Sequence, residues 1–162
     1  MENIVVGRDE EDEEKYGESG TVFLGKHLVG EGDEAHTTNP ILMDVVKPHI
    51  VLVCGKRGSG KSYSGGVIAE EMTMLPKNIK ENLSVIIIDT MGIFWSMKNP
   101  NDRAKEALRD WDISTEDGKR ILKPSGVEMK LFVPKAYVKT YKEAGVAVDS
   151  PLSMPCGELS AD

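Results

Sequence analysis

The sequence predicts an α/β fold: a mostly parallel sheet with helices on both faces, preceded by a short β element and a disordered acidic tail. Three observations lead there. The runs "HIVLVC" (49–54) and "LSVIIID" (83–89) are too uniformly apolar to have a wet face. Strands of that kind lie centrally in parallel sheets, covered by helices on either side. Stretches with helical character follow the apolar runs, and strands alternating with helices are the pattern of a parallel α/β sheet. Between the first run and its helix stands "GKRGSGKS" (55–62), a glycine-rich turn that ends in Lys-Ser.

In chain order, residues 1–20 hold eight acids against Arg8 and Lys15, and Asp9 to Glu14 are six consecutive acids. Such a block repels itself and buries nothing, so a solvated tail is expected over 1–20. Most of the formal charge of −7 therefore belongs to the tail. The nearly neutral remainder does not exclude an anionic partner. "TVFLGKHLVG" (21–30) reads as a strand ended by Gly30, "EGDEAHTTNP" (31–40) as a polar loop and "ILMDVV" (41–46) as a second short strand. Together they make a β element over 21–46. The strand 49–54 opens the main domain, 47–162. A helix is expected from about Gly60 to Leu75, stopped by Pro76, and then the strand 83–89.

Asn99 is placed to cap a helix with Pro100 at its first position and Asp102 in its first turn. Ala104, Ala107, Leu108 and Trp111 would form its buried stripe, at i, i+3, i+4 and i+7. "MKLFVPK" (129–135) is a third strand, and "AYVKTYKEAG" a short helix closed by Gly145. There is no internal repeat.

Composition sets the limits. The chain has 162 residues, 40% hydrophobic and 29% charged, enough for one globular domain of ordinary size. No apolar run approaches the roughly 20 residues that cross a bilayer, and the acidic N-terminus is unlike a secretory signal. Cys54 and Cys156 make no disulfide framework and are expected as reduced thiols in a cytoplasmic protein. Cys54 is expected to be a small core residue.

Residues Gly55, Lys56, Arg57, Gly58, Ser59, Gly60, Lys61 and Ser62 fit G-x-x-x-x-G-K-[ST] at every fixed position. The chemistry needs these residue types. Glycines let successive N–H groups turn into one concavity. The following helix adds the positive end of its dipole at the same place. Lys61, the expected catalytic residue, would reach the β- and γ-phosphates of a bound nucleotide, and the Ser62 hydroxyl would ligate Mg2+. Tyr63 is expected to pack near the nucleotide. Context makes the match specific, because the motif lies directly after an apolar strand and before a helix.

Asp89-Thr90-Met91-Gly92 also fits the D-x-x-G pattern of GTPases. Asp89 follows Lys61 by only 28 residues, which leaves little room for a switch segment. The N/T-K-x-D sequence that selects guanine is absent, so a GTPase is disfavoured.

"FLGKHLV", "NPILMDVVKPHIVLVCGKRGSGKS" and "VIIIDTMGIFWSM" together resemble the HerA-type ATPases of the HerA–FtsK superfamily of DNA translocases. The likeness covers about 21–97. In that group a small β-barrel element precedes the ATPase core, and a histidine commonly opens the P-loop strand, as His49 does here. Asp89, Gly92 and Phe94 follow the group's D-x-x-G-E-[YF], while Ile93 departs from its acid. The resemblance implies a RecA-like P-loop sheet, with Asp89 in the nucleotide site. It implies ATP and Mg2+ as cofactors and a hexameric ring with ATP between subunits. It further implies double-stranded DNA as the substrate for translocation or unwinding, with a nuclease or other effector as partner.

The group also carries a later apolar strand ending in Asp-Glu, where the acids hold Mg2+ and activate water. No apolar run after Asp89 ends in an acid here. The expectation is therefore a RecA-like domain incomplete toward the C-terminus, weak or inactive in hydrolysis on its own. Two other classes stay open. A small P-loop kinase fits the length, although only Arg103, Arg109 and Arg120 are present to serve a lid. A nucleotide-sensing module would need no catalytic acids.

Weaker signals remain. His27, His36 and His49 lack metal-ligand spacing. The eight bases between Lys98 and Lys130 are interleaved with acids and read first as a solvated surface, with DNA phosphates as the alternative. Trp95 and Trp111 read as core.

Overall fold

A computed structural model of the chain describes residues 3–109, 111–115 and 118–153. It is a mixed α/β structure of three small sheets and several short helices. The N-terminal sheet has the order β1-β3-β2, with β1 at Ile4–Val6, β2 at Thr21–Val29 and β3 at His36–Asp44. β2 and β3 form an antiparallel hairpin, irregular between Phe23 and Gly25 and again between Lys26 and Leu28. β1 joins the other edge of β3 in parallel, with Ile4, Val5 and Val6 opposite Ile41, Leu42 and Met43. Period-2 alternation in β3 turns Pro40, Leu42 and Asp44 inward.

The tail expectation is corrected. Residues Glu10–Tyr16 form a helix, α1, between β1 and β2. Asp9 caps it through a 2.9 Å bond from the Asp12 N–H, and the acids of its first turn sit at the positive end of the helix dipole. Asp12 is buried and pairs with Lys47. Mutual repulsion among the acids is thus offset by a cap, the dipole and a cation from outside the block.

The core lies where the N-terminal sheet meets a second hairpin, β4 (Asp112–Thr115) with β5 (Gly118–Ile121). Phe23, Leu42 and Ile113 form its buried centre, with Val5, Trp111 and Leu122 against them. Trp111 meets Phe23 edge to face at 6.4 Å between ring centroids, a core role as expected. Burying each such side chain contributes about 1.5–3 kcal/mol.

Helix α2, Lys61–Thr73, matches the expected helix, and its Ala69 is buried. Glu71 holds it to β2 by accepting the Phe23 N–H at 3.3 Å. Two short helices follow, α3 at Lys77–Lys80 and α4 at Lys105–Leu108. The helix expected after Asn99 shrinks to a 3-10 turn at Asp102–Ala104 plus α4, so Ala107 is exposed and the four-residue stripe does not form. β6 (Phe132–Pro134) pairs in parallel with β7 (Ser150–Leu152). Between them Val138–Glu143 forms α5, and the chain turns at Gly145 in the left-handed region, as expected.

The two apolar runs depart most from expectation. Neither 49–54 nor 83–89 is hydrogen-bonded into a sheet, and the described sheets are small and mixed rather than one parallel sheet. Strand geometry needs a ladder partner, and among the described residues no strand is paired with either run. Most of their apolar side chains are exposed instead, with Ile50 at 101%, Leu52 at 85%, Ile86 at 85% and Ile88 at 88%, while Leu83 and Ile87 are half-buried. Cys54 is exposed as well, not core; Cys156 lies outside the described residues. Among the described residues no helix is long and apolar enough to cross a membrane.

Exposed apolar runs of this kind drive association. The isolated chain is expected to self-associate as its concentration rises, and Ile86→Lys with Ile88→Lys to lower that tendency. Sedimentation velocity over a wide concentration range checks this. A wild-type chain that stays monomeric throughout would rule it out.

Candidate functional site

The loop 55–60 is built by glycines in positions where a side chain fails. A Cβ on Gly55 would stand 2.3 Å from the Ser59 hydroxyl oxygen and 3.2 Å from the Ser59 Cβ, so any side chain there would force Ser59 to turn away. Gly58 and Gly60 have φ of +79° and +86°, the left-handed region that glycine enters without strain. A Cβ built on either would meet nothing within 4 Å. Their backbones therefore border open space, with room for a ligand at the head of α2.

The loop's own bonds are few. The Ser59 N–H donates to the Lys56 carbonyl at 3.2 Å, and the Ser64 N–H begins the helix ladder on Gly60 at 2.9 Å. Lys61 bends back so that Nζ donates to the Lys56 carbonyl at 2.8 Å. Its ammonium thus spans the mouth of the loop, where an anion bound to the N–H groups would meet it. Ser62 and Tyr63 are exposed at the helix start. Both line a cavity of about 350 Å3 that also touches Gly66, Val67, Phe94 and Asn101.

Asp89 does different work. Its Oδ1 accepts the N–H groups of Met91 at 3.2 Å and Gly92 at 2.8 Å, and its Oδ2 accepts Phe94 N–H at 2.8 Å. The carboxylate therefore shapes its own turn. Gly92 is required there, since φ is +65° and a Cβ would stand 2.5 Å from the Tyr141 hydroxyl. Asp89 lines a separate cavity of about 520 Å3, walled by α2, residues 83–89 and 127–134. The structure thus gathers Gly55 to Gly60 into one loop, with Lys61 to Tyr63 in the first turn of α2, and gives Asp89 to another loop.

A third constellation escaped the sequence reading. Arg8 and Asp44 are an ion pair with both side chains 1% exposed; Arg8 donates to Asp44 Oδ1 from NH2 at 2.7 Å and from Nε at 2.9 Å. Asp44 Oδ2 meets His49 Nε2 at 2.6 Å and accepts the Lys47 N–H at 3.0 Å. Burial pushes the Asp44 carboxyl up. Hydrogen bonds from His49, the Lys47 N–H, Arg8 and the Val46 N–H outweigh it and hold the group below its ordinary value. The signal was present in "ILMDVV", an apolar run interrupted by one acid.

The other histidines are local: His36 Nδ1 lies 2.9 Å from the Glu34 carbonyl, and His27 lies beside Thr38. Among the described residues no cluster of three His, Cys, Asp or Glu could hold a metal. A divalent cation here would need Ser62 together with the oxygens of a bound phosphate.

No protein-family model, no curated protein and no solved structure matches this chain.

Proposed function

We propose that this chain is the ATP- and Mg2+-binding part of a HerA-type ATPase with a RecA-like core. The observation that carries the reading is the loop 55–62, whose glycine backbone borders open space while Lys61 lies across its mouth. N–H groups of residues 58–62 would hold the phosphates, and Lys61 would neutralise β- and γ-phosphate oxygens. The Ser62 hydroxyl would ligate Mg2+, which supplies charge neutralisation at the phosphates when bound. Tyr63 borders the cavity of about 350 Å3 beside the loop, where the sugar or base of a nucleotide would lie.

The bare apolar runs 49–54 and 83–89 favour a sheet that further polypeptide completes. In the proposed ring, that polypeptide would also supply the acids that activate water. Asp89 is unsuited to that role, because its oxygens serve three N–H groups of its own turn. This chain alone should therefore bind ATP and hydrolyse it poorly. Double-stranded DNA translocation, a hexameric assembly and a nuclease or other effector belong to the same proposal.

The decisive experiment has two arms. Calorimetry with ATP and Mg2+ should show saturable binding by this chain. Hydrolysis should be negligible without the completing polypeptide and, in the completed protein, stimulated by double-stranded DNA. Phosphoryl transfer to a small acceptor would indicate a kinase instead, and binding with no stimulated hydrolysis a nucleotide sensor.

A further inference from the structure

We propose that Arg8 and His49 are positioning residues for the phosphate loop. Acting through Asp44, they let the N-terminal segment 4–16 fix where the chain enters that loop.

The contacts converge from three directions. Arg8 follows β1 and brings its buried guanidinium to Asp44 at the end of β3; it also donates to the carbonyls of Gly17 and Ser19, which ties both ends of α1 to the same point. Asp44 then holds what comes next, the N–H groups of Val46 and Lys47 and the imidazole of His49. Gly7 packs on that imidazole, since a Cβ there would stand 3.1 Å from His49 Cε1. Asp12 of α1 adds an ion pair to Lys47. Segment 44–49 is thus gripped from β1 and α1 together.

What lies downstream gives the grip its importance. Residues 50–60 are exposed throughout and joined to no ladder. Among the described residues, the hydrogen bonds recorded within this stretch stay inside the loop. The stretch therefore hangs between two anchors, α2 on one side and His49 on the other. His49 precedes Gly55 by six residues, so its placement limits the positions the loop can take. A staple serving only the hairpin would stop at Asp44 and Lys47; this one extends to the residue where the free segment begins.

The nucleotide half of the inference rests on the reading of 55–62 as an ATP site. The test therefore has a readout that needs no nucleotide. Cys54 is exposed and lies between His49 and the loop. It can carry a nitroxide label in a Cys156→Ser background, with Arg8→Met, His49→Ala and His49→Gln made in that chain. Arg8→Met and His49→Ala should shift the spectrum toward the mobile line shape and raise the Kd for ATP and Mg2+ about tenfold. His49→Gln keeps an N–H for Asp44 and should retain most of the wild-type line shape and affinity. His49, partly exposed, is the milder variant should Arg8→Met fail to fold. An unchanged Cys54 spectrum in folded His49→Ala overturns the proposal. If the spectrum shifts but the wild type does not bind ATP, positioning of this segment stands and the ATP reading fails.

Discussion

Lys61→Ala is expected to weaken binding of ATP and Mg2+ by about a hundredfold and to leave the fold intact. A charge-assisted hydrogen bond to phosphate contributes about 1.5–3 kcal/mol net of hydration, and its upper end corresponds to a loss of that order. The fold should not notice. The bond recorded for Lys61 Nζ is an exposed one to the Lys56 carbonyl, and alanine is at least as good at a helix start. Melting temperature and circular dichroism should therefore match the wild type while calorimetry reports the loss. Equal affinity in the two chains would mean that whatever binds does so away from residues 55–62, and the ATPase reading would go with it. Gly55→Ala is a weaker probe, because its Cβ would collide with Ser59 and disturb the loop directly.

The glycine turn at 55–60 and the helix that follows it were legible because local physics decides them. Glycine spacing, a lysine and a hydroxyl at the head of a helix act over eight consecutive residues, and α2 forms within a residue or two of its expected bounds. The turn at Asp89 was not anticipated, because D-x-x-G was read for its ligand chemistry, whereas it places a carboxylate within reach of the N–H of its own glycine. The other failures depended on distant partners. "HIVLVC" and "LSVIIID" have the composition of central strands, but a strand exists only where a neighbour supplies a ladder, and composition cannot report the neighbour. The acidic block failed in the opposite direction. Its charges were weighed against one another, whereas Asp12 and the helix dipole find their compensation in Lys47 and in the peptide backbone. Arg8 looked like an isolated base in that block. It is the buried partner of an acid 36 residues away.

That partner should dominate the chain's stability. Asp44→Ala would leave the Arg8 guanidinium, 1% exposed, without its counter-ion, and would free the N–H groups of Val46 and Lys47. Removing one member of a buried pair costs about 3–5 kcal/mol, a large share of the roughly 5–15 kcal/mol that holds a domain folded. Converting both partners, Arg8→Met with Asp44→Leu, should recover part of the loss, since no buried charge then remains uncompensated. Urea denaturation of the three variants measures this. An Asp44→Ala chain within 1 kcal/mol of the wild type, about the effect of an ordinary substitution, would mean that the pair is not buried in solution.

Acid supplies an independent check on the same group. The Asp44 carboxyl is held below its ordinary value in the fold. The unfolded chain therefore takes up its proton first as the pH drops. The stabilisation is fully present above the ordinary carboxylate range near pH 4, and is lost as the pH falls through the lower folded value. Wild-type stability should thus decline more steeply below about pH 4 than that of Asp44→Asn, which has no carboxyl to titrate. Parallel acid profiles would show that some other carboxylate carries the dependence, and would remove the argument that Asp44 is ionised where it sits.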